Sequence, residues 1–195
     1  ALLKVAPHEW RSLILFGLYT GQRLGDLATL TWEQIDLDHN EIRLTTRKTS
    51  RNQKIPICTP LLVHIQGLPQ PSARTKPVHP DADAQFKMQG RSGVLSRQFY
   101  ELMTKAGLVE KKSHHKNHES QGRSGRHNLS KISFHSLRHT TTSLLKNAGV
   151  SPAIAEEFVG HDSSEMNRVY THIDQSAMRL AADKLPDFSL IKSDS

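Results

Sequence analysis

Four separated stretches of the chain carry residue types suited to chemistry at a phosphodiester. TGQRLGDL holds Arg23, the polar run RKTSRN holds Lys48, HSLRH holds His135 and Arg138, and GHDSSEMNRVYTH holds His161 and Tyr170. Displacement at phosphorus builds negative charge on the non-bridging oxygens, and a planar guanidinium answers that charge with paired donors. An ammonium on a flexible stem can deliver a proton to a departing oxygen. A histidine, with an ordinary pKa near 6.5, takes up and releases protons close to neutrality. A phenol, with a pKa near 10, is a weak nucleophile until nearby cations favour its phenolate. Each position also has a plain structural alternative. Arg23 could form a surface ion pair with Asp26, His135 could be a capping or core histidine, and His161 could sit on the dipole of a helix end. The capping or core role fits His139 better than His135. Of the other tyrosines, Tyr19 closes an apolar helix and Tyr100 follows Phe99, so both read as packing residues.

The elements that must position these groups can be read from periodicity. Pro7 suits the first turn of a helix in which Trp10, Leu13, Ile14 and Leu18 recur at helical spacing, with Gly21 as its stop. A short second helix turns Leu24, Leu27 and Ala28 inward. Arg23 lies at its start, where the helix dipole favours an anion, and Asp26, three residues on, could orient the guanidinium. Segments 41–46 and 53–57 alternate apolar and polar residues and form a hairpin whose turn carries Lys48, and residues 35–38 add a third short strand. Residues 67–91 read as a long loop, 92–107 as a helix, and 111–131 as a mobile polar insertion. Helices follow from 135, ended by Gly149, and from Ser151 and Pro152, ended by Gly160. Another, capped by Ser163 or Ser164, carries Met166, Val169 and Tyr170, and the last spans 175–185. His135 and Arg138, spaced i and i+3, share a helix face beside the apolar stripe and are expected to project together. The fold class is mainly α with a small antiparallel β-sheet, an α+β chain.

Composition narrows the options further. At 195 residues the chain holds one domain, and 36% apolar with 6% aromatic residues suffices for a core. No apolar run is long enough to span a bilayer, and no secretory leader is visible. The single cysteine, Cys58, excludes an internal disulfide and a cysteine-rich zinc site, and reads as a small buried hydrophobe. His114, His115, His118 and His127 fall in the polar insertion without cysteines, which suits a solvated loop better than a metal site. No cofactor is expected. A net charge of +7 favours a polyanionic partner.

Taken in order, an arginine in TGxR, a hairpin lysine, HxxR, then GH with a tyrosine nine residues on resemble the tyrosine recombinase family of phage integrases and Xer-type recombinases. The resemblance runs from about residue 7 to 185. It implies the tyrosine recombinase catalytic-domain fold across 1–195, with the family's N-terminal DNA-binding domain absent from this chain. It implies that Arg23 and Arg138 clamp the scissile phosphate, that His135 serves acid–base chemistry, and that His161 donates to the phosphate. Tyr170 would be the nucleophile and form a 3′-phosphotyrosyl intermediate. Lys48 would be the general acid for the 5′ oxygen; Lys54 is its competitor within the hairpin, read instead as a solvated residue or phosphate contact.

The same resemblance implies double-stranded DNA as substrate and no metal ion; by their charge, Arg47, Arg51 and Lys54 could contact its backbone. It implies a homo-tetramer on DNA whose segment 175–191 can dock on a neighbouring subunit, with Ala177, Leu180, Ala181, Leu185, Phe188 and Leu190 as anchors; packing within the chain is the alternative. The expected setting is the bacterial cytoplasm at the nucleoid, and the expected role is integration or excision of a mobile element. A type IB topoisomerase and a catalytically silent DNA-binding regulator are the other readings. A metal-dependent nuclease is disfavoured by the lack of a carboxylate cluster in the sequence.

Overall fold

The computed structural model describes residues 1–110, 132–160 and 175–188. The expected insertion at 111–131, the expected helix bearing Tyr170, and His161 lie outside the described residues. Within them run α1 (Leu2–Val5), α2 (His8–Thr20), α3 (Leu24–Ala28), a 3-10 turn (Trp32–Gln34), β1 (Ile35–Asp36), β2 (Glu41–Thr45), β3 (Asn52–Pro56) and α4 (Thr59–Gln66). Then follow α5 (Pro80–Gln89), α6 (Gly93–Lys105), α7 (His135–Asn147), α8 (Pro152–Val159) and α9 (Gln175–Ala182). The mainly helical chain with a small antiparallel sheet is as the sequence implies.

Helix α2 is the axis of the core. Every residue from Ser12 to Thr20 is buried, because α3, α4 and α7 pack around it. A helix enclosed on all sides must be apolar on all sides, and Leu13, Ile14, Leu15, Phe16 and Leu18 meet that demand. Each such side chain contributes about 2 kcal/mol relative to an exposed position. Two polar residues are buried with them: Thr20 donates to the Phe16 carbonyl at 2.6 Å, and the Ser12 hydroxyl lies 2.9 Å from His79 Nε2 and 2.9 Å from His64 Nε2. His79 Nδ1 lies 3.1 Å from the Leu27 carbonyl. A carbonyl only accepts, so Nδ1 carries the proton and Nε2 accepts from Ser12, whose oxygen then accepts from His64. This relay pins α4 and the start of α5 to α2. Burial pushes the pKa of both imidazoles down to about 4.

The three strands form one antiparallel sheet in the order β1-β2-β3. Pairing Ile42 with Ile55 and Leu44 with Gln53 turns these side chains inward, while Arg43 opposite Lys54 faces solvent. The period of two in both segments sets that register. The expected third strand is present as β1.

Three expectations change. Within 67–91, read as one loop, the structure contains α5. Pro80 at its first turn and acidic Asp81 and Asp83 beside it are ordinary helix-start features, but Ala82 and Phe86 alone give too thin an apolar stripe to stand out. Residues 59–66, assigned to no element from sequence, form α4, whose Leu61 and Ile65 are buried. The last helix ends at Ala182, short of the expected 185.

Helix α9 packs against α8 and β3 of its own chain. Met178, Ala181, Ala182 and Leu185 are buried, whereas Leu180 is exposed. Arg179 donates to the His39 carbonyl at 2.6 Å. The Phe188 amide donates to the Tyr19 hydroxyl at 2.5 Å, with the two rings 5.9 Å apart.

Candidate active site

Arg23 is the residue on which α3 begins. Its backbone is extended, at φ −72° and ψ 148°, because α2 has just ended in a left-handed turn at Gly21, φ 65°. A side chain at Gly21 would also collide with Val159: an added Cβ would lie 2.5 Å from Val159 Cγ1. Glycine therefore lets α2 stop, α8 approach and Arg23 emerge within three residues. The Arg23 side chain is half-buried, and among the described residues no hydrogen bond or ion pair occupies its guanidinium.

The hairpin tip is organised by buried Thr46. Its amide donates to the Arg51 carbonyl at 2.9 Å, its carbonyl accepts from the Ser50 amide at 2.8 Å, and its hydroxyl lies 2.7 Å from that of Thr49. Ser50 takes the left-handed conformation, φ 53°, that closes the turn. Lys48 is thereby held out into solvent at the tip. Asp26, 7% exposed, accepts the Arg47 amide at 2.9 Å. No ion pair between Asp26 and Arg23 is found among the described residues. The acid expected to orient Arg23 instead fixes the hairpin that bears Lys48.

Helix α7 starts at His135, where the Ser133 amide donates to the Ser136 hydroxyl at 3.1 Å. His135 is exposed and stands edge-on to His139, ring centroids 5.0 Å apart. His139 is itself exposed rather than the core or capping residue expected. Arg138, by contrast, is 2% exposed. Its Nη1 donates to the Gly21 carbonyl at 2.9 Å and its Nη2 to the Gly160 carbonyl at 2.6 Å. The HxxR pair thus does not project together. Three residues turn a helix through about 300°, and the remaining 60° separates a solvent-facing histidine from a core-facing arginine.

Arg23, Lys48 and His135, from three distant stretches of chain, line one cleft of about 400 Å³. Asp26, Arg47, Phe86, Ser92, Ser96 and Ser133 are among the other residues of its wall. Phe86 and the three serines carry no catalytic motif in the sequence, and the helix start at Pro80 is the one local signal that points towards Phe86. Arg138 is not among the residues of that wall and joins the ends of α2 and α8. Arg51 forms an ion pair with Glu157 of α8. Lys54 stays exposed on β3, across from Arg43, whose guanidinium engages Asp36 and Glu41. The cleft gathers cationic side chains at one place, an arrangement that can hold a phosphate and stabilise charge developing on it.

The chain matches the phage integrase family over residues 2–177. It is 26% identical over 172 residues to the integrase of Salmonella phage P22, covering 88% of this chain and 41% of that protein. It is 28% identical over 160 residues to tyrosine recombinase XerC of Roseiflexus sp. (strain RS-1), covering 81% and 45%. The chain thus spans less than half the length of these two relatives. Among solved structures, the integrase from mycobacterium phage Brujita superposes with a TM-score of 0.62 at 20% identity, over 96% of this chain and 55% of that one. XerA recombinase does so with a TM-score of 0.55 at 21% identity, over 92% and 59%. At this identity the superpositions speak for the fold.

Proposed function

Because the chain belongs to the phage integrase family, we propose that it cleaves and rejoins DNA strands at specific sites through a covalent phosphotyrosine. The observation that carries this reading is the convergence of Arg23, Lys48 and His135 on one cleft. The phenolate oxygen of Tyr170 attacks the scissile phosphorus while the bond from phosphorus to the 5′ oxygen breaks. Lys48 gives that oxygen its proton. Arg23 opposes the charge on the non-bridging oxygens; Arg138, whose Nη groups donate to the Gly21 and Gly160 carbonyls in the DNA-free protein, joins it by exchanging one of those bonds for the phosphate; His135 assists proton movement at the tyrosine and His161 donates to the phosphate. Removing one such preorganised donor costs about 3 kcal/mol of barrier. The 3′-phosphotyrosyl bond conserves the energy of the broken one, so a 5′ hydroxyl reverses the step without ATP. Side chains supply all the positive charge in this scheme, and it calls for no metal ion.

The substrate is double-stranded DNA, with Arg47, Arg51 and Lys54 as candidate backbone contacts, and the setting is a mobile element in the bacterial cytoplasm, at the nucleoid. The working assembly is a homo-tetramer in which the segment from 175 is exchanged between subunits. The same segment packs within its own chain here, so exchange requires its release.

Covalent trapping tests the chemistry. The full-length protein is incubated in EDTA with a nicked duplex carrying the junction of the element that encodes it. A denaturation-resistant adduct that is lost in Tyr170→Phe is expected. An adduct that persists in the variant overturns the assignment of the nucleophile.

A further inference from the structure

We propose that Phe86, on α5, is a positioning residue that sets the place of Lys48 relative to Arg23. This rests on the reading of Lys48 as general acid. The ring is 8% exposed and sits between the two elements that carry these cations. On one side it lies against Gly25, two residues after Arg23: a Cβ added at Gly25 would stand 3.0 Å from Phe86 Cε2. On the other side the Arg47 guanidinium lies over the ring, its carbon 4.8 Å from the centroid, and Arg47 directly precedes Lys48.

The tip needs such a hold. Residues 47–50, Arg-Lys-Thr-Ser, include no apolar side chain, and all four are exposed. The Asp26 carboxylate fixes the tip through the Arg47 main chain, and the face of Phe86 fixes it through the Arg47 side chain by a cation–π contact. The platform is itself anchored. Glu9 of α2 accepts the amides of Asp81 and Ala82 at 3.1 and 2.7 Å, tying the first turn of α5 to the core. An aromatic face in this place does what an aliphatic side chain of similar bulk cannot: it fills the space against Gly25 and also attracts the cation.

Replacing the 5′ oxygen at the scissile phosphate by sulfur separates positioning of the acid from other defects. A thiol, with a pKa near 8.5, leaves as a thiolate without needing a proton. On the ordinary duplex, Phe86→Leu in the full-length protein is expected to slow adduct formation about tenfold or more, as misplaced catalytic groups do. On the sulfur duplex it should approach the wild-type rate, and Phe86→Tyr should match wild type on both. An equal deficit of Phe86→Leu on both duplexes, with Lys48→Ala rescued by sulfur, overturns the proposal while sparing the general acid. An equal deficit of Lys48→Ala on both overturns the reading of Lys48. In the DNA-free protein, Phe86→Leu should speed hydrogen exchange at the Arg47 amide and leave α2 and α7 unchanged. Unchanged exchange at Arg47 overturns the proposal without reference to DNA.

Discussion

Arg138 Nη2 donates to the carbonyl of Gly160 at 2.6 Å, so a guanidinium on α7 holds the final residue of α8's cap, next to position 161. The companion bond to Gly21 holds the turn that leads into Arg23. Arg138→Lys keeps the charge but loses the fork that spans both carbonyls. It should lower unfolding free energy by about 2 kcal/mol, and Arg138→Ala, which leaves two buried carbonyls unpaired, by about 3 kcal/mol or more. Urea unfolding midpoints check both values, and a shift within 0.5 kcal/mol would show that the bonds contribute little.

The two caps should differ in their tolerance of a side chain. Gly21 and Gly160 share left-handed backbone, at φ 65° and 72°, so either alanine costs about 1 kcal/mol in strain alone. At Gly160 the new methyl meets the far end of Gln53, which can swing; at Gly21 it meets stiff, β-branched Val159. Gly21→Ala should therefore be the costlier change, and Val159→Ala should recover part of the loss. Thermal melts of the two single variants and the double variant decide it.

Acid should weaken the fold through the histidine relay. Both imidazoles titrate near 4 in the folded protein, below the ordinary 6.5, so the unfolded chain binds more protons between those values. Stability is then complete above about pH 6.5 and is lost as pH falls towards 4. His79 alone accounts for about 3 kcal/mol over that window. Urea midpoints measured from pH 4 to 7 should rise with pH and then level off, and His79→Gln should flatten the rise.

Cys58 is 1% exposed, and burial pushes its thiol up to about 11. Only the thiolate reacts, so a disulfide reagent at pH 8 should leave the native protein untouched and modify one thiol once urea unfolds it. Rapid labelling of the native state would count against this placement.

Arg51 offers a test on DNA. It is ion-paired with Glu157, so Glu157→Gln removes a carboxylate that competes with phosphate for it and should tighten binding to any duplex. Arg51→Ala should weaken binding regardless of sequence and lower the slope of log affinity against log salt by about one. Titrations at several salt concentrations read both effects.

Much of the fold was legible because its signals are local. Trp10 to Leu18, Ile42 with Leu44, and Ser151 to Gly160 each encode their element within one or two turns. The cleft was legible only as a set of residue types. Asp26 stands three residues from Arg23, and sequence proximity suggests that pair; its observed partner is an amide twenty-one residues on, brought near by the hairpin. A charged residue beside an apolar stripe is usually a surface group, so nothing local reveals that Arg138 is buried against two carbonyls at glycine caps. Phe86 is a single aromatic in a polar stretch and has no periodicity to mark it.

The span of the Arg138 bonds has a consequence for a chain still being made. Gly21 lies 117 residues behind it and Gly160 lies 22 ahead. On the ribosome, Arg23 and the hairpin emerge early, but the buried guanidinium lacks its second acceptor until residue 160 has been added and has cleared the exit tunnel. The order of synthesis thus lets α2, α3 and the hairpin form before the bond that ties the end of α2 to the end of α8 can be completed.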